Sequence, residues 1–283
     1  ILKMGFKIIV DSCCDAKSVP GGIPVINVPL RITIDGKTYT DDGTLNTIWL
    51  LSAMRGSKAL PVTACPSPAE YAEAMSGEDD VFVVTLSAEL SGSYQSAMLG
   101  VEMKKGGGRV HVFNSQSASA GQSRITLEIA DMISRGLTFD QIVAEGEEFV
   151  RDMKTFFVLQ SLDSLIKAGR MGKITGSLAT FMQLRPIMSD DGTGGIMLFE
   201  KARGTKNAID KLVNIIGAQE EKMRLAGRPK KPLCISHCNC PELALDLKKK
   251  ILEKCPGITD VGILPTGGLS TFYAFDGGIV VGY

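Results

Sequence analysis

Between an apolar run, Val81-Phe-Val-Val-Thr-Leu86, and a stretch from Tyr94 with Ala97, Met98 and Val101 on one helical side lies the loop Ser87-Ala-Glu-Leu-Ser-Gly-Ser93. The run has the β-branched and aromatic composition of a buried strand. A strand that ends in a Ser/Gly loop and opens a helix aims unpaired backbone N–H groups at one spot. The helix dipole adds partial positive charge there, so the spot suits an anion. Ser91 and Ser93 can cap the helix or donate to a ligand, and Gly92 lets a ligand approach the backbone. Just upstream, Thr63-Ala-Cys-Pro-Ser67-Pro68-Ala-Glu70 reads as a helix start, with Ser67 at the N-cap, Pro68 at N1 and Glu70 completing a capping box. Thr63 falls just outside that start with its hydroxyl free. Two helix starts facing one ligand head bind a small acidic group with neither metal nor cofactor.

Other groups carry weaker chemistry. Asp11-Ser12-Cys13-Cys14-Asp15 follows an apolar run, where polar residues of an α/β protein either line a site or bond a turn. The adjacent cysteines do not make an easy disulfide. Ser164-Leu-Ile-Lys167 matches S-x-x-K without its companion motifs and reads as chance. Cys234, His237, Cys238 and Cys240 are capable of binding metal, but zinc sites pair two separated ligand clusters, so small half-buried cysteines at a strand end are the simpler account. His111, between Val110 and Val112, reads as packed in a strand. Neither G-x-G-x-x-G after a strand nor a Walker A motif is present. Arg170, Lys173, Arg203, Lys206 and Lys211 lie near loops or helix starts, as solvated charges or as a docking and headgroup surface.

The elements that must hold these residues follow from pattern. Strands are expected at Phe6–Val10, across Val25–Ile34 with a turn at Asp35-Gly36 and a continuation through Tyr39, at Val81–Leu86 and at Arg109–Phe113. Helices are expected at Thr44–Met54, after Ser67, after Ser93, after the polar loop Asn114–Gly121, and from Thr138 with Gln141 to Met153. Three strand-loop-helix units imply a parallel sheet with helices on both faces, a three-layer α/β/α arrangement. A change occurs near Thr155. Beyond it come a strand at Phe156–Gln160, a helix at Ser161–Ala168, and an antiparallel pair, Leu184–Met188 with Gly195–Lys201, around Asp190-Asp-Gly192. Helices Thr205–Leu225 and Pro241–Lys254, a strand at Leu233–Ser236 and strands over Gly262–Tyr283 complete an α+β region. The fold class is α/β, with an N-terminal domain over residues 1–154 and a C-terminal one over 155–283.

Composition bounds the function. A chain of 283 residues is long for one domain. Thirty-one basic residues balance thirty-one acidic ones, which argues against nucleic acid as the main partner. No apolar run reaches the length of a membrane span, and Ile1–Lys7 lacks the apolar core of a signal peptide. Seven cysteines, an odd number, argue against a disulfide framework and for a reducing cytoplasm.

Taken together, Asp11-Ser-Cys-Cys-Asp15, Thr63-Ala-Cys-Pro-Ser-Pro68, Leu86–Ala97, Gly169-Arg-Met-Gly-Lys173, Arg203-Gly-Thr-Lys206 and the C-terminal glycine-rich strand make the chain resemble the DegV family of bacterial fatty-acid-binding proteins. The resemblance implies one long-chain fatty acid buried between the two domains. It places the carboxylate on Thr63 and Ser91, with Gly92 supplying backbone and Ser93, Ser12 and Tyr273 nearby. It implies a fatty acid kinase as partner, which phosphorylates the bound acid for phospholipid synthesis, with Arg170 and Arg203 on the docking or headgroup side. No cofactor and no metal are implied, and the role is that of a carrier rather than an enzyme. The apolar stretch Ile174–Met182, with Gly176, Ser177 and Ala179, is expected to wall the tunnel. Where the family has H-x-G-P-G, this chain has Tyr273-Ala-Phe-Asp-Gly277: a tyrosine that donates a hydrogen bond but has no imidazole, and an aspartate whose charge opposes a nearby carboxylate unless it points away. Two rivals remain: a hydrolase or transferase built on Ser91 and Ser93, which requires a base beside them, and a binder of another small acid, which requires a short polar cavity.

Overall fold

The computed structural model describes residues 5–171, 184–228 and 231–283. Strands β1 (Phe6–Asp11), β2 (Val25–Val28), β6 (Asp80–Thr85) and β7 (Val110–Asn114) form a parallel sheet in the order β2-β1-β6-β7. Alternation along β6 shows why its sequence is apolar throughout. Val81 and Val83 face helices α2 (Pro68–Met75) and α3 (Ser93–Met103), whereas Phe82 and Val84 face α4 (Ala120–Ser134) and α5 (Phe139–Asp152). A parallel strand covered on both faces has no solvent side to keep polar. The three-layer α/β/α arrangement expected from the sequence is present.

A second sheet holds six strands in the order β10-β9-β8-β13-β11-β12. They are β8 (Thr155–Val158), β9 (Ile187–Asp190), β10 (Ile196–Glu200), β11 (Lys231–His237), β12 (Ile258–Pro265) and β13 (Ile279–Gly282). Only β11 and β12 run parallel; the other neighbours are antiparallel. Phe156, Val158, Ile235 and Val281 pack with the long helices α7 (Thr205–Leu225) and α8 (Pro241–Lys254). The opposite face meets the short helices α6 (Asp163–Lys167) and α9 (Gly268–Ala274). The sequence reading of Gly262–Tyr283 as strands is corrected by α9, whose seven residues are almost all buried. Continuous burial hides the helical period there. The apolar stretch Ile174–Met182 and Lys173 lie outside the described residues.

A small antiparallel sheet, β4 (Lys37–Thr40), β3 (Arg31–Ile34) and β5 (Val62–Ala64), closes over α9 together with α1 (Thr47–Gly56). Ile32, Ile34, Leu50 and Phe272 form its core. The turn expected at Asp35-Gly36 is there, with both residues at positive φ (47° and 81°), as a tight hairpin needs. Strand β5 has no counterpart in the sequence reading: Thr63, placed there just outside the α2 start, is paired opposite Ile32.

The large sheets meet through α4. A methyl group on Gly282 of β13 would lie 2.6 Å from Gly121 Cα and 2.7 Å from Ala120 O, both backbone atoms that cannot swing away. Gly282→Ala is therefore expected to destabilise the protein by about 1–3 kcal/mol through overpacking. Chemical denaturation measures it; an unchanged midpoint would show that the contact tolerates a side chain.

Candidate functional site

Along β8 the side chains alternate. Phe156 and Val158 enter the helical core, whereas Thr155, Phe157 and Leu159 face a cavity with about 770 Å³ of empty space, its mouth included. Leu86, Leu90, Leu165, Leu269, Ile196 and Val280 make most of its surface apolar. From Thr155 to Leu159 the wall runs about 13 Å, four residues of strand.

The ends of the cavity differ in charge. Beyond Leu159 the chain enters α6 and reaches Arg170, which lines the cavity beside Tyr273 and Leu165. Arg170 Nε donates to Leu90 O at 3.2 Å, and a second guanidinium nitrogen donates to Ala168 O. At the Thr155 end stand Gln116, Ser117, Asp190, Gly194 and Gly195. Asp190 accepts the Thr155 N–H at 3.0 Å and faces Lys154 at 3.6 Å. Ser87 Oγ donates to Gly194 O at 2.7 Å, fixing the β9–β10 turn on the loop after β6.

Tyr273 joins the cavity to the small sheet. Its hydroxyl lies 2.9 Å from Thr63 Oγ1. Thr63 points inward between two exposed neighbours, as a strand's alternation requires. Its hydroxyl is thus not free, as the sequence implied, but paired. The loop holding Ser91 comes alongside: a methyl on Gly92 would lie 3.1 Å from Cys65 Sγ, two residues beyond Thr63. Ser91 Oγ lies 3.0 Å from Ser93 Oγ and accepts the Ser93 N–H at 3.2 Å. Gly92, which has no side chain to cap with, occupies the N-cap of α3, and Ser91 Oγ holds the first N–H of the helix instead. The Ser67–Glu70 capping box forms with both its bonds. Glu70 also meets Arg31 of β3 at 2.6 Å, and that contact with Arg31, ahead of the bonds from Ser67, holds its carboxyl down at about 2. The pair ties α2 to the sheet that carries Thr63.

Helix α9, which carries Tyr273, is held at its start by two buried carboxylates. Asp41 accepts Gly268 N–H at 3.0 Å and Leu269 N–H at 2.7 Å; Asp15 accepts Gly267 N–H at 2.9 Å and the Ser119 hydroxyl. Burial pushes the Asp15 carboxyl above its ordinary range against these donors. Asp11 is wholly buried as well. It accepts N–H groups from Leu86 (2.7 Å), Cys13 (3.1 Å) and the Gln122 amide (3.0 Å), yet burial raises its carboxyl to about 6.

The residues singled out in the sequence divide. Tyr273 and Arg170 line the cavity, and Thr63 touches it through the Tyr273 hydroxyl, whereas Ser91, Gly92 and Ser93 lie outside its lining. Ser12 is wholly buried, its Oγ accepting Leu30 N–H at 3.0 Å, while its neighbour Cys13 lines the cavity. Arg203 is exposed beside α7 and outside the cavity lining. Asp276 points away: it pairs with Arg55 at 2.6 Å and accepts from Asn239 at 2.9 Å, and these bonds, Asn239 first, lower its carboxyl. His111 packs edge-on to Phe113 and meets Glu147 at 2.8 Å. His237 Nδ1 accepts Cys240 N–H at 3.3 Å. Among the described residues no three His, Cys, Asp or Glu side chains are grouped to hold a metal, and all seven cysteines are free thiols. No helix of the described residues is long and apolar enough to cross a membrane. Sequence reasoning missed Gln116, Ser117, Thr155 and the Asp190–Gly195 turn as lining residues. The polar loop Asn114–Gly121 was the available signal.

Known proteins resemble the chain over nearly its whole length. The DegV family model matches residues 5–283. A DegV domain-containing protein of Streptococcus pneumoniae is 32% identical, with 99% of each chain covered. A DegV family protein from Ruminococcus gnavus, refined with vaccenic acid, superposes with a TM-score of 0.90 at 37% identity, covering 99% of this chain and 100% of that one. The Streptococcus pneumoniae fatty acid kinase (Fak) B3 protein, loaded with linoleic acid, gives 0.86 at 30% identity, with 99% of each covered. The chain belongs to the DegV family.

The Asp11 carboxyl carries a pH signature. Its ordinary value is 3.8 and its folded value about 6, so within that window the folded chain holds a proton that the unfolded chain has released. Stability from this group is complete below about 4 and lost as pH rises through about 6. The stability of wild type relative to Asp11→Asn is therefore expected to increase as pH falls from 7 to 4. Denaturant melts of both proteins across that range measure it; a flat or inverted difference refutes the assignment.

Proposed function

We propose that this protein binds one long-chain fatty acid in the cavity along β8, between an N-terminal unit ending at residue 154 and a C-terminal unit starting at 155, and presents it to a fatty acid kinase. The observation that carries the reading is the cavity's asymmetry: an apolar passage with Tyr273, Thr63 and Arg170 at one end and Asp190 at the other. A carboxylate is attracted to the first end, where Arg170 stands, and finds no such cation at the second, where Asp190 is already paired with Lys154, so the acid enters in one direction. Similar proteins of 37% and 30% identity hold vaccenic and linoleic acid, and the latter is named as a fatty acid kinase protein.

The chemistry divides between tail and head. Each methylene buried against the leucines and Phe157 contributes about 0.8 kcal/mol. The hydroxyls of Tyr273, Thr63 and Ser91, with Gly92 and Ser93 at the start of α3, bond the carboxylate, each bond to the charged group being worth about 1.5–3 kcal/mol. Arg170 supplies the opposing charge, and Arg203, exposed on α7's approach, serves the kinase side. Ser91 is bonded to Ser93 rather than to a histidine or carboxylate, so its hydroxyl is arranged to bind rather than to attack. The protein on this reading is a carrier, and its place is the cytoplasm.

Native mass spectrometry of the purified protein is expected to show one bound fatty acid, released by solvent extraction. Tyr273→Phe is expected to weaken oleate binding roughly ten- to a hundredfold, the loss of one charge-assisted bond. An empty protein that also fails to bind added oleate would refute the proposal.

A further inference from the structure

Tyr71 of α2 is wholly buried, and its hydroxyl makes no hydrogen bond to any described residue. A ring that only filled the core would do better as phenylalanine, because a buried hydroxyl without a bond forfeits its hydration. Helix α3 shows where this one points. Its buried residues, Ser93, Ala97 and Gly100, recur at helical spacing and make one stripe. A methyl on Gly100 would lie 2.9 Å from Tyr71 Cβ, and Ala97 packs in the same cluster as Tyr71. The tyrosine thus lies along the stripe from its Gly100 end. At the other end is Ser93, also wholly buried, whose hydroxyl acts on the phenol. Burial first, and then the Asp11 carboxylate, push that phenol far above its ordinary range against the effect of Ser93, so it keeps its proton and is a donor.

Resting on the fatty-acid reading, we infer that Tyr71 is a positioning residue for the carboxylate: in the loaded protein its hydroxyl donates to Ser93 Oγ, Ser93 donates to Ser91, and Ser91 gives its own proton to the acid. The serine half of this chain is already built. Ser91 Oγ lies 3.0 Å from Ser93 Oγ and accepts the Ser93 N–H at 3.2 Å. A hydroxyl has one proton and two lone pairs. With both lone pairs of Ser91 filled from Ser93, its proton is left for the ligand. Ser93, having donated to Ser91, is an acceptor toward Tyr71. A carboxylate polarises such a chain from its open end and strengthens the bonds behind it. An uncharged head polarises it far less, so Tyr71 favours an acid over a neutral lipid without touching either.

The test measures binding of oleate and of oleyl alcohol, the same chain with a neutral head, to delipidated protein, with thermal melts alongside. Tyr71→Phe is expected to bind oleate roughly three- to tenfold more weakly, the worth of one net hydrogen bond, and oleyl alcohol within about twofold of wild type. Without ligand the variant is expected to melt no lower than wild type, because the hydroxyl it removes is unpaired there. In a Ser91→Ala background the same change is expected to alter oleate binding by less than about twofold, since the chain is already cut. A loss shared equally by acid and alcohol, or no loss for either, overturns the inference. A lower melting point without ligand overturns the unpaired state from which it starts, and an oleate loss that persists undiminished in Ser91→Ala overturns the route through Ser91. If wild type binds neither lipid, the fatty-acid reading itself has failed.

Discussion

Two buried carboxylates set the geometry on which the site depends. Asp15 and Asp41, from the loops after β1 and β4, together accept the N–H groups of Gly267, Gly268 and Leu269 at the start of α9. Those donors come from more than two hundred residues away in the chain. The groups are hidden from water, so an N–H without its carboxylate, or a carboxylate without its N–H, would stay unsatisfied at a cost of about 1–3 kcal/mol, more for the charged group. The helix is thereby held to one position, and Tyr273 with it. The 2.9 Å contact between Tyr273 and Thr63 is the consequence.

The same economy of charge shapes the cavity. Arg170 and Tyr273 line the cavity on one side, and Asp190 stands where the β9–β10 turn closes the wall. In a passage of low dielectric such fixed charges act over a longer range than they would in water. Asp276 would confuse this polarity if it faced inward. Arg55 and Asn239 hold it on the surface instead, so it costs the head end nothing in charge.

Much of the fold was legible because it rests on period and capping. The continuous apolar runs of β1 and β6, the Ser67 and Thr138 boxes, and the long amphipathic helices Thr205–Leu225 and Pro241–Lys254 are local patterns that survive folding unchanged. Helix α9 and strand β5 were misread for a shared reason. One is buried on all sides and the other is three residues long, so neither displays a period. The head-end hydroxyls were legible as types beside helix starts. The lining at Thr155 was not, because Ser117 follows β7 of one sheet, Thr155 opens β8 of the other, and the two meet only in the folded chain.

The sequence by itself determined which segments become strands and helices, where two helices are capped, and that neutral hydroxyls rather than metal ligands cluster beside helix starts. These follow from interactions within a few residues of one another. Tertiary structure alone decided that Tyr273 reaches Thr63, that Ser12 turns inward while Cys13 faces the cavity, that Asp276 is drawn off by Arg55, and which face of β8 is the wall. Each of those depends on contacts between residues far apart in the chain, where a side chain's direction is set by which sheet its strand joins and not by its neighbours in sequence.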